Sequence, residues 1–420
     1  MSLSGQNVPG DVAMALAEPV ESVPRRWVAW ITLAGLGLWA GFFGPIQVLL
    51  AQQAEAVSPG HKELVFGVVT GVGSAVSVVA NPLFGALSDR TTSRFGRRLP
   101  WVVAGALLGA LALVLLAVSH SILAMVLAWS LAQASLNAMF AALTATIPDQ
   151  VPVRERGVVG GWVAVSQTLG IVFGVGIATV TGGIAAGYYA TAAAVVVLAI
   201  PYVLESRDVP LSKALRPAFA WREFVASFWI SPRAYPDFAW AWLTRFLVNF
   251  GNSLGTLLLY FYLQDAVHYS DPETGVFVLT VVYAVFIVAS TVVFGLWSDR
   301  LGRRKSFVTV SGIVTGLGAL VLAIVPTWPG ALVGAVVFGI GYGVYLSVDF
   351  ALCTQVLPNA EARAKDLGVI NIAVALPQVF APFVGSFLVA QLGGYVTLYA
   401  VSCAVCLLGS VLVRNIRSVA

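Results

Sequence analysis

The sequence predicts an all-α integral membrane protein, with twelve transmembrane helices in two pseudo-symmetric six-helix halves. Three observations carry this. The 420 residues are 59% hydrophobic and 10% charged, with a mean hydropathy of +0.90, whereas a soluble chain is roughly half apolar and a quarter charged. The apolar residues fall in twelve blocks of about 20, the length that crosses a ~30 Å hydrocarbon core. The charged stretch Gly85–Trp101, GALSDRTTSRFGRRLPW, returns in shortened form at Gly295–Lys305 as GLWSDRLGRRK, an offset of 210 residues and half the chain.

In chain order, residues 1–26 read as a polar tail ending in Arg25-Arg26, with too few apolar residues to bury. The first six spans are expected at Trp27–Gln52, Leu64–Leu87, Leu99–Ser119, Ile122–Ile147, Val158–Thr181 and Gly187–Leu204. A 32-residue stretch, Glu205–Pro236, follows. Its segment SKALRPAFAWREFVASFW has the Arg, Trp and Phe content of a short helix lying on a membrane surface. The last six spans are expected at Asp237–Tyr262, Gly275–Trp297, Ser306–Val325, Ala331–Val356, Leu367–Leu392 and Tyr395–Val413. Residues 27–204 and 237–414 then form two six-helix bundles joined by the stretch 205–236, with a short tail at 415–420. The halves share more than the charged loop: Ala141–Pro148 aligns with Ala351–Pro358, and Gly41 with Gly251, at the same offset.

Basic residues set the orientation, because loops rich in Lys and Arg stay in the cytoplasm. With the N-terminus inside, all but Lys62 and Arg245 of the 23 basic residues fall in cytoplasmic segments. Both termini are therefore expected in the cytoplasm. His61, His120 and His268 fall in outer loops, which argues against a buried histidine proton relay. Cys353, Cys403 and Cys406 all sit in apolar blocks, as small hydrophobes rather than a disulfide or metal framework. No cleavable signal peptide is expected, because the first apolar block is too long for one. No Gly-x-x-x-x-Gly-Lys-Ser/Thr phosphate loop is present, which disfavours an ATP-driven pump. No pair of carboxylates or cluster with histidine lies in the spans to run acid–base catalysis, so a membrane enzyme is disfavoured too.

The repeated loop has its own chemistry. Gly85 and Gly295 stand near the inner ends of the second and eighth spans, where a glycine lets another helix approach. Asp89 and Asp299 can meet a helix start or a nearby arginine. Arg90, Arg97 and Arg98, and Arg300 and Arg303, are the cations beside them. Membrane anchoring alone does not require the order Gly-x-x-Ser-Asp-Arg twice. The alternative is a cytoplasmic gate, made and broken as the halves rock.

Gly-x-x-x-Asp-Arg-x-Gly-Arg-Arg between the second and third spans, repeated between the eighth and ninth, resembles the major facilitator superfamily. The first copy is four residues longer, and SDRTTSRFGRRLPW is similar to the form in sucrose transporters and glycoside–pentoside–hexuronide cation symporters. The resemblance implies a secondary transporter of a small molecule in the cell (plasma or inner) membrane. It implies no cofactor beyond a coupling proton or sodium ion, no nucleic-acid partner, and a monomer. Neither the second nor the fourth span has an acidic residue, a departure from those narrower families, and the fifth lacks the Gly-Pro pair of many drug–proton antiporters.

The resemblance also implies that spans one, four, seven and ten line a central cavity. Independently, polar groups within a bilayer tend to face a bundle interior. On the seventh span Arg245, Asn249 and Asn252 share one face, and on the tenth Tyr342, Tyr345 and Asp349 do. Gln133 and Asn137 are one turn apart on the fourth, and Trp39, Phe43 and Gln47 form a stripe on the first. Gln167, Asn371 and Gln378 are further candidates. Arg245 and Asp349 are the formal charges well inside the spans, each ~12 Å from the cytoplasmic boundary at 1.5 Å per residue. An ion pair follows from equal depth. Its role is either structural or proton-coupling. The amides and aromatics likewise fit either interhelical packing or a small polar solute, uncharged or zwitterionic, such as a sugar. Proton symport of such a solute leads, with proton-driven export of an amphipathic metabolite or drug as the alternative. Pro377 and Pro382, and Gly339, Gly341 and Gly343, are read as bends.

Overall fold

The computed structural model describes residues 19–206, 208–212, 231–301, 304–355 and 363–417. All regular structure among them is helical, with no strand. We number the membrane helices α1 Arg25–Val57, α2 Lys62–Asp89, α3 Leu99–Ala117, α4 Ile122–Gln150, α5 Arg156–Val180 and α6 Ile184–Glu205. A bent helix, α7, follows as Pro236–Leu257 and Leu259–Asp265. The set is completed by α8 Pro272–Leu301, α9 Arg304–Ile324, α10 Trp328–Gln355, α11 Arg363–Gln391 and α12 Gly394–Leu412. Eleven helices are long and apolar enough to cross a membrane, and α7, taken through its 44° bend, makes twelve. The segment read as a surface helix lies almost wholly outside the described residues, as do residues 1–18 of the tail.

Each helix overlaps its expected span, and most run a turn further. The reason is physical: a helix satisfies its own backbone hydrogen bonds and gains nothing by unwinding at the lipid boundary. Asp89, Asp149 and Asp299–Arg300 consequently ride on the last turns of α2, α4 and α8 instead of lying in loops. Two helices are irregular. In α1, a π turn spans Pro45–Leu49, where proline removes a backbone donor. In α7 the bend falls just past Ser253 and Gly255, a residue type at which helices bend.

The chain divides into two compact units. The first comprises the described residues of Met1–Gly44, Val79–Ser119 and Leu127–Phe219; the second those of Pro45–Val78, His120–Val126 and Ala220–Ala420. In the first, α1 packs on α5 and α6, and α3 on α6. In the second, α7 packs on α11 and α12, and α9 on α12, so the pairings recur six helices later. Apolar residues that a soluble protein would bury stand exposed, as Leu107, Leu108, Leu111 and Leu115 do on α3, where lipid would cover them.

The glycines of α10 do not break it. The helix runs continuously from Trp328 to Gln355. A Cβ on Gly339 or Gly343 would strike α8, and one on Gly341 would strike Thr315 of α9. These glycines are contact points that let three helices approach closely. Helix α11 is likewise continuous through Pro377 and Pro382.

Candidate functional site

A continuous polar network within the helices lies in the second unit, between α7 and α10. The Arg245 Nη1 is 2.8 Å from Asp349 Oδ2, with side chains 11% and 9% exposed. The Tyr345 hydroxyl donates to Asp349 Oδ1 at 2.6 Å. Asn249 donates through Nδ2 to the Arg245 carbonyl at 2.8 Å and to the Tyr345 hydroxyl at 3.4 Å. Its Oδ1 accepts from the Tyr342 hydroxyl at 3.0 Å. Donors thus run in one direction, from Tyr342 through Asn249 and Tyr345 to Asp349. The guanidinium occupies the other oxygen, so both carboxylate oxygens have a donor. The site needs the helical phase: Arg245 and Asn249 are one turn apart on α7, Tyr345 and Asp349 one turn apart on α10.

Asn252, on the same face of α7, accepts from the hydroxyl of Tyr283 on α8 at 2.7 Å. Tyr283 stacks toward Tyr342, and Tyr342 toward Tyr345, with centroids 6.5 and 5.8 Å apart. Gln378 on α11 donates to Ser253 at 3.1 Å. On an adjacent face of α7, Trp242, Phe246 and Phe250 stack in sequence at 5.7 Å spacings. This helix therefore carries a polar stripe beside an aromatic one. Asn371 lies on α11, but its side chain is outside the described residues.

In the first unit, the Asn137 Nδ2 donates to the Gln133 carbonyl at 2.8 Å and is 3.3 Å from Gln133 Oε1. Asn81 of α2 donates to Asn137 Oδ1 at 3.3 Å. Trp39 meets Phe43 at 6.0 Å and Phe140 of α4 edge-on at 5.2 Å. Gln47 sits in the π turn and belongs to the second unit.

The charged loop is organised by Asp149, at the end of α4. Its two oxygens accept from Arg97 Nη2 at 2.6 Å and Arg98 Nε at 2.7 Å. Arg98 also pairs with Asp89 at 2.5 Å and donates to the Ser88 hydroxyl at 2.9 Å. Burial works to lower the Arg98 pKa, but the hydrogen bond and charge of Asp149, with Asp89, raise it above the ordinary value. Asp208 accepts from the backbone N–H groups of Arg98 and Leu99 at 2.5 and 2.8 Å, which caps the start of α3. Burial raises its pKa above the usual carboxylate range, against those two hydrogen bonds and the Arg98 charge. Gly96 makes this possible: its φ of 96° turns the chain, and a Cβ there would strike Asp208.

Gly85 does not serve a close approach here, since a Cβ on it would meet nothing within 4 Å. Gly295 makes an ordinary contact, 3.7 Å from Ser347 Cβ to its would-be Cβ. Arg90 follows the end of α2, with its N–H on the Leu87 carbonyl at 3.2 Å. Arg300 is exposed on α8, the Asp299 side chain is not described, and Arg303 lies outside the described residues. Sequence reasoning missed Asn81, Tyr283, Phe140, Asp149 and Asp208. The first two carried a signal, as polar groups within apolar spans. Asp149 and Asp208 did not stand out, because each reads as one more loop charge.

Comparison with known proteins is consistent with this architecture. The Major Facilitator Superfamily pattern matches residues 31–286 and 241–418. The chain is 30% identical over 125 residues to the fujikurins efflux protein of Gibberella fujikuroi, covering 29% of this chain and 26% of that protein. It is 29% identical over 121 residues to myo-inositol transporter 3A of Cryptococcus neoformans, covering 29% and 20%. The matched stretches are thus about a quarter or less of those relatives' own lengths. The solved structure of the nucleoside transporter NupG superposes with a TM-score of 0.74 at 13% identity, over 93% of this chain and 99% of that one. With a family match over nearly the whole length, the chain belongs to the major facilitator superfamily and is a multi-pass membrane transporter, not an enzyme.

Proposed function

We propose that the protein is a secondary active transporter that moves a small polar organic solute, a sugar or glycoside as the first candidate, by alternating access with proton symport. The observation that carries this is the α7–α10 network, a buried Arg245–Asp349 pair hydrogen-bonded through Tyr345 and Asn249 to Tyr342. Uptake of a proton by Asp349 would remove the charge that holds Arg245 and reverse the demand on the Tyr345 hydroxyl. The change would pass along the same bonds to Asn249 and Tyr342, groups of the kind that recognise hydroxyls. In this reading Arg245, Asn249, Asn252, Tyr342 and Tyr345 of the second unit contact solute. Gln47 contributes least.

The longer first loop supports a place near the sucrose and glycoside–pentoside–hexuronide branch, and the myo-inositol relative supports a polyhydroxylated solute. Both termini would lie in the cytoplasm of a cell membrane, with the charged loops as the cytoplasmic gate. The Trp242, Phe246 and Phe250 stack favours a second reading, proton-driven export of an amphipathic metabolite, to which the efflux relative also lends weight. A screen of hexoses, glycosides, myo-inositol and amphipathic drugs in right-side-out and inside-out vesicles tests both. Symport predicts solute accumulation in right-side-out vesicles only when the outside is acidic. Accumulation in inside-out vesicles against an acidic interior supports export, and no accumulation under either gradient contradicts proton coupling.

A further inference from the structure

Just past α12 the chain makes one 3₁₀ turn, Val413–Asn415, which lies against α7 and α9. The peptide group that follows has both its polar atoms held by side chains. The Ile416 carbonyl accepts from Lys305 Nζ, in the first turn of α9, at 2.8 Å. The Arg417 N–H donates to Asp237 Oδ1, in the first turn of α7, at 3.0 Å. A helix end at a surface can leave its last polar groups to water, so this clamp is not needed to finish α12. What it fixes is the place of Ile416. That residue is extended, at φ −72° and ψ 118°, and it is fully buried, as is Val413.

Ile416 enters the bed of the Arg245–Asp349 network. With Val413 it belongs to one apolar cluster with Ala241 of α7, Phe307 of α9, and Tyr345 and Val348 of α10. Tyr345 is the residue that donates to Asp349, and Val348 immediately precedes it. Asp237 stands eight residues before Arg245, ~12 Å along α7 at 1.5 Å per residue. The cluster therefore occupies the depth between the clamp and the ion pair. On the same face of α7, beside Arg245, the Thr244 hydroxyl is buried without a hydrogen-bond partner. Such a group gains from any water that reaches it, so packing alone keeps this depth closed.

We propose that Val413–Arg417 is a hydrophobic stopper that keeps water and protons from reaching the Arg245–Asp349 pair through the base of the second unit. Ile416 is its plug, and Lys305 and Asp237 hold the plug in place. A carboxylate that carried the coupling proton, yet exchanged it through the base of its own bundle, would dissipate the gradient. The consequence for coupling rests on the reading of Asp349 as proton carrier, whereas the closure itself does not, and the two are measured separately.

The closure is measured on the full-length protein in lipid nanodiscs, where both faces meet the reagent. One single-thiol protein carries Thr244→Cys with Cys353, Cys403 and Cys406 replaced by serine. A second keeps Cys406, fully buried and two turns along α12 from Val413, as its only thiol. With Ile416 intact, a small methanethiosulfonate should modify position 244 slowly. Ile416→Ser should speed this by about tenfold or more, as removal of most of a core isoleucine favours local opening. Lys305→Met and Asp237→Ala should speed it by less, Ile416→Leu should keep the slow rate, and Cys406 should stay unmodified throughout. The consequence is measured as proton leak into proteoliposomes under a pH gradient without solute. Ile416→Ser should raise the leak, and adding Asp349→Asn should return it to the wild-type rate. Faster modification with no leak, or with a leak that survives Asp349→Asn, supports the stopper and counts against Asp349 as the carrier. An unchanged rate at position 244 in Ile416→Ser, Lys305→Met and Asp237→Ala would overturn the stopper. So would modification of Cys406 in step with position 244, which would mean that Ile416 supports the whole unit.

Discussion

The Arg245–Asp349 pair makes an asymmetric prediction. Asp349→Asn leaves a guanidinium that cannot shed its charge, whereas Arg245→Gln leaves a carboxylate that can take up a proton. Both side chains are about nine-tenths buried, so the cost of removing one partner falls in the range for a stranded buried charge, ~3–5 kcal/mol. Asp349→Asn should sit near the lower end, because an amide oxygen can still accept from Tyr345. Asp349→Ala should add about 1 kcal/mol for that lost hydrogen bond. Arg245→Gln should cost less than Asp349→Asn, because the carboxylate it leaves can be neutralised by a proton whereas the guanidinium cannot lose its charge. The double variant strands no charge and should recover most of the loss, giving a coupling of roughly 2–3 kcal/mol in a double-mutant cycle. Unfolding in mixed micelles, followed by tryptophan fluorescence from pH 5 to 8, measures all four proteins. Single costs that add to within about 0.5 kcal/mol, or an Arg245→Gln cost larger than that of Asp349→Asn, would refute the reasoning.

Other consequences follow from the charged loop and the amides. Asp149→Asn removes the charge shared by Arg97 and Arg98 and turns one of its two acceptor oxygens into a donor, and should lower stability by ~3 kcal/mol or more, read as a fall in melting temperature. Asp208→Asn should keep the α3 cap, since an amide oxygen also accepts backbone N–H bonds. The Asp208 carboxyl is raised in the fold, so its ionisation disfavours folding. The variant should therefore match wild type well below the ordinary carboxylate range and gain on it as pH rises through the raised value, in melting curves from pH 4 to 8. Asn137→Leu breaks the link to Asn81 and should cost only ~1 kcal/mol of stability, as interhelical amide bonds do. If Asn137 binds solute, the same variant raises the solute concentration needed for half-maximal uptake far more than that loss would suggest.

The helices were legible because the bilayer sets their length and the backbone must close its own hydrogen bonds within them. Their ends were less so, since polar residues such as Asp89 and Asp149 read as loop yet continue the helix. Contact between Arg245 and Asp349 was legible because two charges at one depth have few alternatives to each other. What periodicity cannot give is the neighbour: it placed Asn252 on a face of α7 without revealing Tyr283 on α8, and Asn137 on α4 without Asn81 on α2. It also mistook the α10 glycines for hinges, because close packing and flexibility ask for the same residue.

The central claim is that Asp349 carries the coupling proton. It is tested most directly by external pH recordings on proteoliposomes as a solute found in the vesicle screen, with myo-inositol and hexoses as first probes, is added. Wild type should alkalinise the medium as solute enters. Asp349→Asn should move no protons and accumulate no solute, yet still exchange labelled for unlabelled solute across the membrane. Unchanged proton movement and gradient-driven accumulation in Asp349→Asn would contradict the account.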